Sequence, residues 1–209
     1  MKFESTFSDI LTASANGWCA RKTDECVLSL AMPIQGVDPL CRLPLLAENE
    51  DFRFLWDRSP GLCFAVAGRC QHFDLAGPRR FELAQRFSDE ALRRLTDGTP
   101  DVPKQAKPRI VLAFSFFEQV SERKRNIDIP PAVQAVLPLW QLTRQGRFGW
   151  LRINSVVTHE AEARDVAERL WLMKETLAKQ REEKPIITST LDTDLLLSEP
   201  WQQCYFPAL

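Results

Sequence analysis

The stretch that decides the fold is VLPLWQLTRQGRFGWLRINSVV, residues 136–157. It is rich in aromatic and β-branched residues on either side of the pair Gln145-Gly146, a composition typical of two strands joined by a tight turn. We therefore expect a β-hairpin. Pro138 removes one hydrogen-bond donor from the first strand, so it should lie near a sheet edge or at a bulge.

Further strands are predicted on the N-terminal side of the hairpin. The run GLCFAVAG at 61–68 is apolar on both faces, which favours a central strand. Residues 51–57 should pair with it across a proline-containing turn, and residues 70–75 should return beside it. Two other apolar runs complete the set of expected strands, residues 26–32 and 109–117.

Three helices are predicted. Asp38 and Pro39 have the residue types of an N-cap and a first helical position, so a helix of one or two turns should begin there. Residues 78–97 keep apolar side chains at helical spacing. A long helix should follow Thr158. By contrast, residues 1–25 show no clear period, and we expect an irregular segment there.

The order of these elements indicates an α+β fold. Strands come first, then a helix, then strands again and a final helix. The short turns between neighbouring strands favour antiparallel pairing. We therefore expect one or two antiparallel sheets with helices packed on one side.

Composition and charge argue against several classes of protein. The 209 residues hold 27 Lys and Arg against 28 Asp and Glu, so nothing indicates electrostatic capture of nucleic acid or of a membrane surface. No apolar run approaches the roughly 20 residues that span a bilayer, and the start lacks the pattern of a signal peptide. We expect a cytoplasmic protein whose six scattered cysteines are reduced.

No arrangement of reactive residues predicts a catalytic site. The sequence motifs of phosphate-binding loops, dinucleotide sites, serine hydrolases and zinc proteases are all missing. His72 and Asp74 lie two residues apart on a predicted strand and could pair with Cys70 as a nucleophile. Polar residues that face water are the simpler interpretation. No catalytic, cofactor-binding or metal-ligating residue is assigned.

Two further sets of residues have structural interpretations. Helix-dipole and salt-bridge roles suit the acidic residues at the start of the last helix better than metal binding does. These residues are Glu160, Glu162, Asp165 and Glu168. Four tryptophans fall on predicted strand or helix faces and are candidates for the core rather than for base stacking. They are Trp56, Trp140, Trp150 and Trp171.

Five stretches resemble, in the same order, the N-terminal half of the chorismate-utilising enzymes, above all the isochorismate synthases of the menaquinone and phylloquinone pathways. They are SLAMPIQGVDPLCRLPLL (29–46), FRFLWDRSPGLCFAVAG (52–68), GPRRFELAQRF (77–87), AFSFFEQ (113–119) and VLPLWQLTRQG (136–146). Two departures stand out. The aromatic strand lacks the glycines usual in the family, and Leu139 stands where the family has an arginine.

The resemblance implies that the catalytic groups lie elsewhere. In this family a helix similar to EPWQQC, here 199–204, leads into the strand that carries the lysine general base. The general-acid and magnesium-binding glutamates follow later. We therefore expect residues 26–197 to form an incomplete scaffold domain, 198–209 to be the truncated start of the catalytic half, and the chain alone to be inactive. No cofactor is expected in this chain, although Mg²⁺ is implied for the full-length family.

Two other functions remain open. The chain could be a non-catalytic interaction protein, or one subunit of a split chorismate-utilising enzyme. We expect a partner: either a complementary C-terminal catalytic polypeptide, or a second copy that associates through an exposed sheet face. Trp201, Phe206 and parts of the strand faces should then form an exposed apolar patch.

Overall fold

A computed structural model describes residues 5–21, 26–58, 61–116 and 131–179. These ranges contain four α-helices and seven strands. In chain order they are α1 (Phe7–Cys19), β1 (Cys26–Gln35), α2 (Pro39–Leu46), β2 (Arg53–Asp57), β3 (Leu62–Leu75), α3 (Arg80–Arg94), β4 (Leu95–Asp97), β5 (Val111–Phe114), β6 (Val133–Gln145), β7 (Phe148–Val157) and α4 (Glu160–Lys179).

The described strands form one sheet in the order β2-β3-β6-β7-β1-β4, with β5 paired to β6 beyond the end of β7. All pairs are antiparallel except β1 and β4, which run parallel. The predicted hairpin is formed by β6 and β7, and its closing pair is Gln145 and Phe148. Gly146 has a φ of 60°, which the tight turn requires. The expected α+β class with antiparallel pairing is confirmed.

Strand β3 differs from the expectation. Residues 70–75 do not turn back; they continue the strand that begins at Leu62, and the whole strand pairs with β6. The register shifts between Arg69 and Gln71, so Cys70 is an extra residue opposite no partner. This bulge follows Gly68, whose φ is 69°. Pro138 was expected near a sheet edge or at a bulge. It pairs with Arg69 at the bulge, and its strand lies inside the sheet.

The N-terminal segment also differs from the expectation, because Phe7–Cys19 is helical rather than irregular. Thr6 and Asp9 form a reciprocal capping box at its start. The face that packs on the sheet carries small residues. A Cβ on Gly17 would lie 2.6 Å from Cδ1 of Leu28 and 3.2 Å from the Cα of Gly98. Close packing through small residues explains why the sequence shows no strong apolar period.

The other helices begin within two residues of the positions that the sequence predicts. Asp38 accepts a hydrogen bond from the backbone N–H of Leu40 at 3.3 Å and caps α2. Helix α3 ends at Arg94, earlier than expected. The next three residues, Leu95–Asp97, form β4 instead, because their backbone pairs with β1 at the free edge of the sheet.

The main core lies between the sheet and three helices. It combines α1, α2 and α4 with inward-facing residues of β1, β3, β6 and β7. Its members include Leu28, Leu30, Leu142 and Ile153 of the strands and Leu170 of α4, each at most 1% exposed. Helix α3 packs apart from this cluster, on β3 and β6, where Phe87 stacks on Phe73 with ring centroids 5.7 Å apart. A smaller cluster gathers around Phe52, Phe64 and Val66.

Several expectations lie outside the described residues. They are the end of the expected strand at Phe117, the expected helix start at 199–204 and the apolar side chains Trp201 and Phe206. The division into segments 1–25, 26–197 and 198–209 stays a prediction.

Candidate functional site

The structure does not favour His72 and Asp74 as partners of a Cys70 nucleophile. His72 and Asp74 are both exposed on β3, and within the described residues no hydrogen bond joins either of them to Cys70. Burial raises the pKa of the Cys70 thiol to about 12, which disfavours the nucleophilic thiolate. The interpretation of a polar strand edge therefore stands.

Two of the acidic residues near the start of α4, Glu162 and Glu168, serve the helix itself. Oε2 of Glu162 accepts a hydrogen bond from the backbone N–H of Thr158 at 2.7 Å, and Nδ1 of His159 accepts one from the backbone N–H of Glu162 at 3.3 Å. The Thr158 hydrogen bonds lower the pKa of Glu162. Arg164 pairs with Glu168 at 3.3 Å. Across the described ranges, no group of three or more His, Cys, Asp or Glu could hold a metal ion.

A cluster that the sequence analysis missed lies under residues 98–110, the connector between β4 and β5. This buried polar centre consists of Ser29, Asp97, Gln141, Arg152 and Asn154. Arg152 is fully buried. Its Nε donates to the carbonyl oxygen of Ala106 at 2.6 Å, and its Nη1 donates to Oδ1 of Asp97 at 3.2 Å and to Oγ of Ser29.

The remaining members of the buried polar centre extend this network across the sheet. Oγ of Ser29 donates to Oδ1 of Asn154 at 2.6 Å, and Nδ2 of Asn154 donates to the carbonyl oxygen of Pro138 at 2.8 Å. Nε2 of Gln141 donates to the carbonyl oxygen of Lys107 at 2.9 Å. The network therefore ties β4 and the connector to three strands of the sheet.

The buried polar centre contains one buried cation, Arg152, and one carboxylate, Asp97. Desolvation lowers the pKa of Arg152, and Asp97 opposes that shift. A second cation, Nζ of Lys107, lies 3.5 Å from Oδ2 of Asp97 at the partly exposed margin. A guanidinium remains charged in proteins, so Asp97 neutralises a buried charge. The sequence signal was weak, since the partner carboxylate lies 55 positions away from Arg152.

An apolar groove opens between β2 and the start of β5. Its cavity measures about 540 Å³ and is lined by Phe54, Trp56, Leu62, Phe64, Arg109, Ile110, Val111 and Leu112. The rings of Phe54 and Phe64 meet edge to face with centroids 6.4 Å apart, and the Arg109 guanidinium lies 5.6 Å from the Phe64 centroid. The side of the groove nearest solvent is incompletely covered, because Trp56 is 56% exposed and Leu112 is 44% exposed.

The prediction that four tryptophans belong to the core is thus only partly correct. Trp140 and Trp150 are 5% and 6% exposed and are core residues. Trp171 is half-buried on α4, with its ring 5.7 Å from that of Phe7. Trp56 was wrongly placed. It lies on the edge strand β2, where no neighbouring strand covers it within the described residues.

The groove and the centre differ in what they can do chemically. The groove offers aromatic surface and one cation, which suits an apolar or aromatic occupant. The buried polar centre holds a cation and a carboxylate that already satisfy each other. Neither places a general base beside a general acid around an open cavity, which is the arrangement that acid–base catalysis requires.

No helix among the described residues is long and apolar enough to cross a membrane.

Comparisons with known proteins define the family. No curated relative matches the sequence significantly. Among solved structures, the menaquinone-specific isochorismate synthase from Escherichia coli matches with 18% sequence identity and a TM-score of 0.43, over 80% of this chain and 34% of that one. The chain thus spans about a third of that enzyme's length.

A family model gives the broader match. The model described as chorismate binding enzyme covers residues 12–205. It extends from the middle of α1 past the last described residue and includes every strand described above. Because this match takes in nearly the whole sequence, the chain belongs to the family of chorismate-binding enzymes.

Proposed function

We propose that this chain is the scaffold portion of an isochorismate synthase of the menaquinone or phylloquinone type, and that it is inactive by itself. Family membership supports the substrate class. The observation that carries the proposal is chemical: within the described ranges, carboxylates such as Asp97, Glu162 and Glu168 are already engaged in ion pairs or at the start of a helix.

The reaction makes demands that these residues do not meet. Isomerising chorismate requires a base that activates water, an acid that protonates the departing hydroxyl, and a cation that neutralises carboxylates. These groups must lie within about 3 Å of the reacting atoms. Among the described residues, no three His, Cys, Asp or Glu side chains lie close enough together to hold a metal ion. No described residue is therefore assigned to catalysis or to Mg²⁺ binding.

The proposal assigns the catalytic groups that the described residues lack to a complementary polypeptide. The apolar groove supports this assignment, since its exposed Trp56 and Leu112 offer an aromatic and aliphatic surface to a partner. The complementary polypeptide would bring the base, the acid and the Mg²⁺ ligands, and the assembly would act in the cytoplasm. Association of two copies of this chain through the same groove is the competing outcome.

A direct assay tests the proposal. The purified 209-residue chain is incubated with chorismate and Mg²⁺, and isochorismate is quantified by chromatography, with a complete isochorismate synthase as the positive control. We expect no isochorismate above the rate without protein. Turnover of about 1 per second, ordinary for an enzyme, would show that residues of this chain do form a catalytic site.

A non-catalytic interaction protein is the second candidate function. The exposure of Trp56, Leu112 and Phe114, at 56%, 44% and 41%, favours it. Sedimentation of the purified chain over a concentration series and binding of a hydrophobic dye test this surface, with Trp56→Lys as the matched variant. Self-association or dye binding that Trp56→Lys weakens would support it. A monomer at every concentration that binds no dye would contradict it.

A further inference from the structure

Two buried polar atoms of the polar centre have no hydrogen-bond partner in the described part of the chain. They are Nη2 of Arg152 and Oε1 of Gln141. Both residues are 0% exposed. Buried polar atoms are almost always satisfied, by protein or by ordered water. One occupant can satisfy an unpaired donor and an unpaired acceptor in the same centre.

The two residues are direct neighbours across β6 and β7. Gln141 and Arg152 occupy paired positions in the antiparallel register, so their side chains leave the sheet on the same side, with Cβ atoms about 4.5–5.5 Å apart. Each also holds the connector: Arg152 binds the carbonyl oxygen of Ala106, and Gln141 binds that of Lys107, the next residue. The two unpaired atoms thus belong to side chains that are anchored side by side.

We propose that a single buried water molecule binds between Nη2 of Arg152 and Oε1 of Gln141. The occupant must accept a hydrogen bond from the guanidinium and donate one to the amide oxygen. Water does both. An anion would satisfy Arg152 but face the Gln141 oxygen with like charge, and a metal cation would be repelled by the guanidinium. One small molecule that is both donor and acceptor can satisfy both atoms.

The water completes a hydrogen-bonded layer beneath the connector. Without it, the connector is held at Ala106 and Lys107 by two side chains that each retain an unsatisfied atom. With it, the two side chains are joined to each other, and the layer becomes a continuous network from Asp97 to Thr143, whose Oγ1 lies 3.4 Å from Nε2 of Gln141. Networks of this kind restrain their members more than separate pairs do.

A crystal structure of the full chain, at a resolution that shows ordered water, tests the site. We expect one spherical density peak within about 2.7–3.2 Å of both atoms. Direct contact between Nη2 of Arg152 and Oε1 of Gln141 would overturn the proposal, as would an empty gap. Density with the anomalous signal of chloride would overturn it too.

A solution experiment gives a second readout. In the wild-type chain, NMR should show a nuclear Overhauser effect between the Gln141 side-chain amide or the Arg152 guanidinium and a water that exchanges slowly. Gln141→Met removes the acceptor, so the Arg152 signal should fall at least fivefold. Gln134→Met on the same strand should leave it unchanged. A wild-type chain without this signal, or an unaltered signal in Gln141→Met, would contradict the site.

Discussion

Replacing Arg152 by methionine tests whether the buried polar centre holds the connector to the sheet. Methionine keeps most of the length and volume of the side chain but removes every donor. The change eliminates the bonds to Ala106, Ser29 and Asp97. Removing one partner of a buried ion pair costs about 3–5 kcal/mol, mainly because the groups left behind stay desolvated.

The structure places the expected cost near the lower end of that range. Asp97 keeps hydrogen bonds from the backbone N–H and Oγ1 of Thr99, at 3.0 and 3.2 Å, and its side chain is 18% exposed. The carboxylate is therefore only partly stranded. We expect Arg152→Met to lower the free energy of unfolding by about 3 kcal/mol. For a chain of this size that is a fall in melting temperature of roughly 6–12 °C.

Urea unfolding followed by the fluorescence of the buried tryptophans gives the measurement. Arg144→Met is the matched control, because Arg144 also lies at the hairpin but is partly exposed, 3.6 Å from Asp38; we expect it to change stability by about 0–1 kcal/mol. Asp97→Asn, which strands the buried cation, should cost at least as much as Arg152→Met. The double variant should cost less than the sum by about 0.5–3 kcal/mol.

An Arg152→Met variant as stable as Arg144→Met would refute this reasoning. So would strict additivity in the double variant, since additivity is the behaviour of residues that do not interact. Either result would mean that the guanidinium lies in water rather than beneath the connector.

Three further predictions follow from local geometry. Gly17→Ala should destabilise the chain by about 1–3 kcal/mol in urea unfolding, because the new Cβ would lie 2.6 Å from Cδ1 of the fully buried Leu28 and 3.2 Å from the backbone Cα of Gly98. Asn16→Ala on the exposed face of the same helix should not destabilise it, and equal effects would contradict the close packing of α1. Iodoacetamide at pH 8 should alkylate exposed Cys41 much faster than Cys70, whose pKa is raised to about 12; equal rates by peptide mass spectrometry would restore Cys70 as a candidate nucleophile. The hydrogen bonds from Arg93 and Arg94 lower the pKa of Glu90 to about 2, so its contribution to stability is present above the ordinary value of 4.5 and is lost as pH falls towards 2. An NMR titration of the Glu90 carboxyl with a midpoint at 4.5 or above would exclude these bonds in solution.

The parts of the fold that were predictable from sequence depend on signals within a few residues of each other. The hairpin follows from strand-forming residues around Gln145-Gly146, and the start of α2 follows from Asp38-Pro39. The bulge in β3 was not predictable, because Gly68 before Arg69 has the composition of a turn. A positive φ serves a turn and a bulge equally. Only pairing with the distant β6 decides between them.

The candidate site was harder to predict for the same reason. Side chains alternate between the two faces of a strand, so the sequence places Arg152 on one face, but it does not show whether that face is exposed to solvent. Burial comes from the connector, and neutralisation comes from Asp97 on β4, a strand of three residues with no periodic signal of its own. Trp56 shows the opposite case: its residue type predicted burial, and its place on an edge strand left it exposed.

The distribution of charge within the described residues separates structural from catalytic roles. A catalytic carboxylate or cation must face a cavity that admits substrate, and its charge must be free to respond to the reaction. Arg152 and Asp97 instead face each other beneath a connector, so the energy of their interaction stabilises the fold. The groove has the opposite character, with room for an occupant and aromatic walls but only Arg109 as a charged lining residue. Under the proposed function, a protein that binds in this groove gains apolar contact and supplies the acid, the base and the metal ligands that the described residues lack. If the chain isomerises chorismate unaided, this separation is wrong; if it is inactive but associates through Trp56, the groove rather than the buried polar centre is the functional surface.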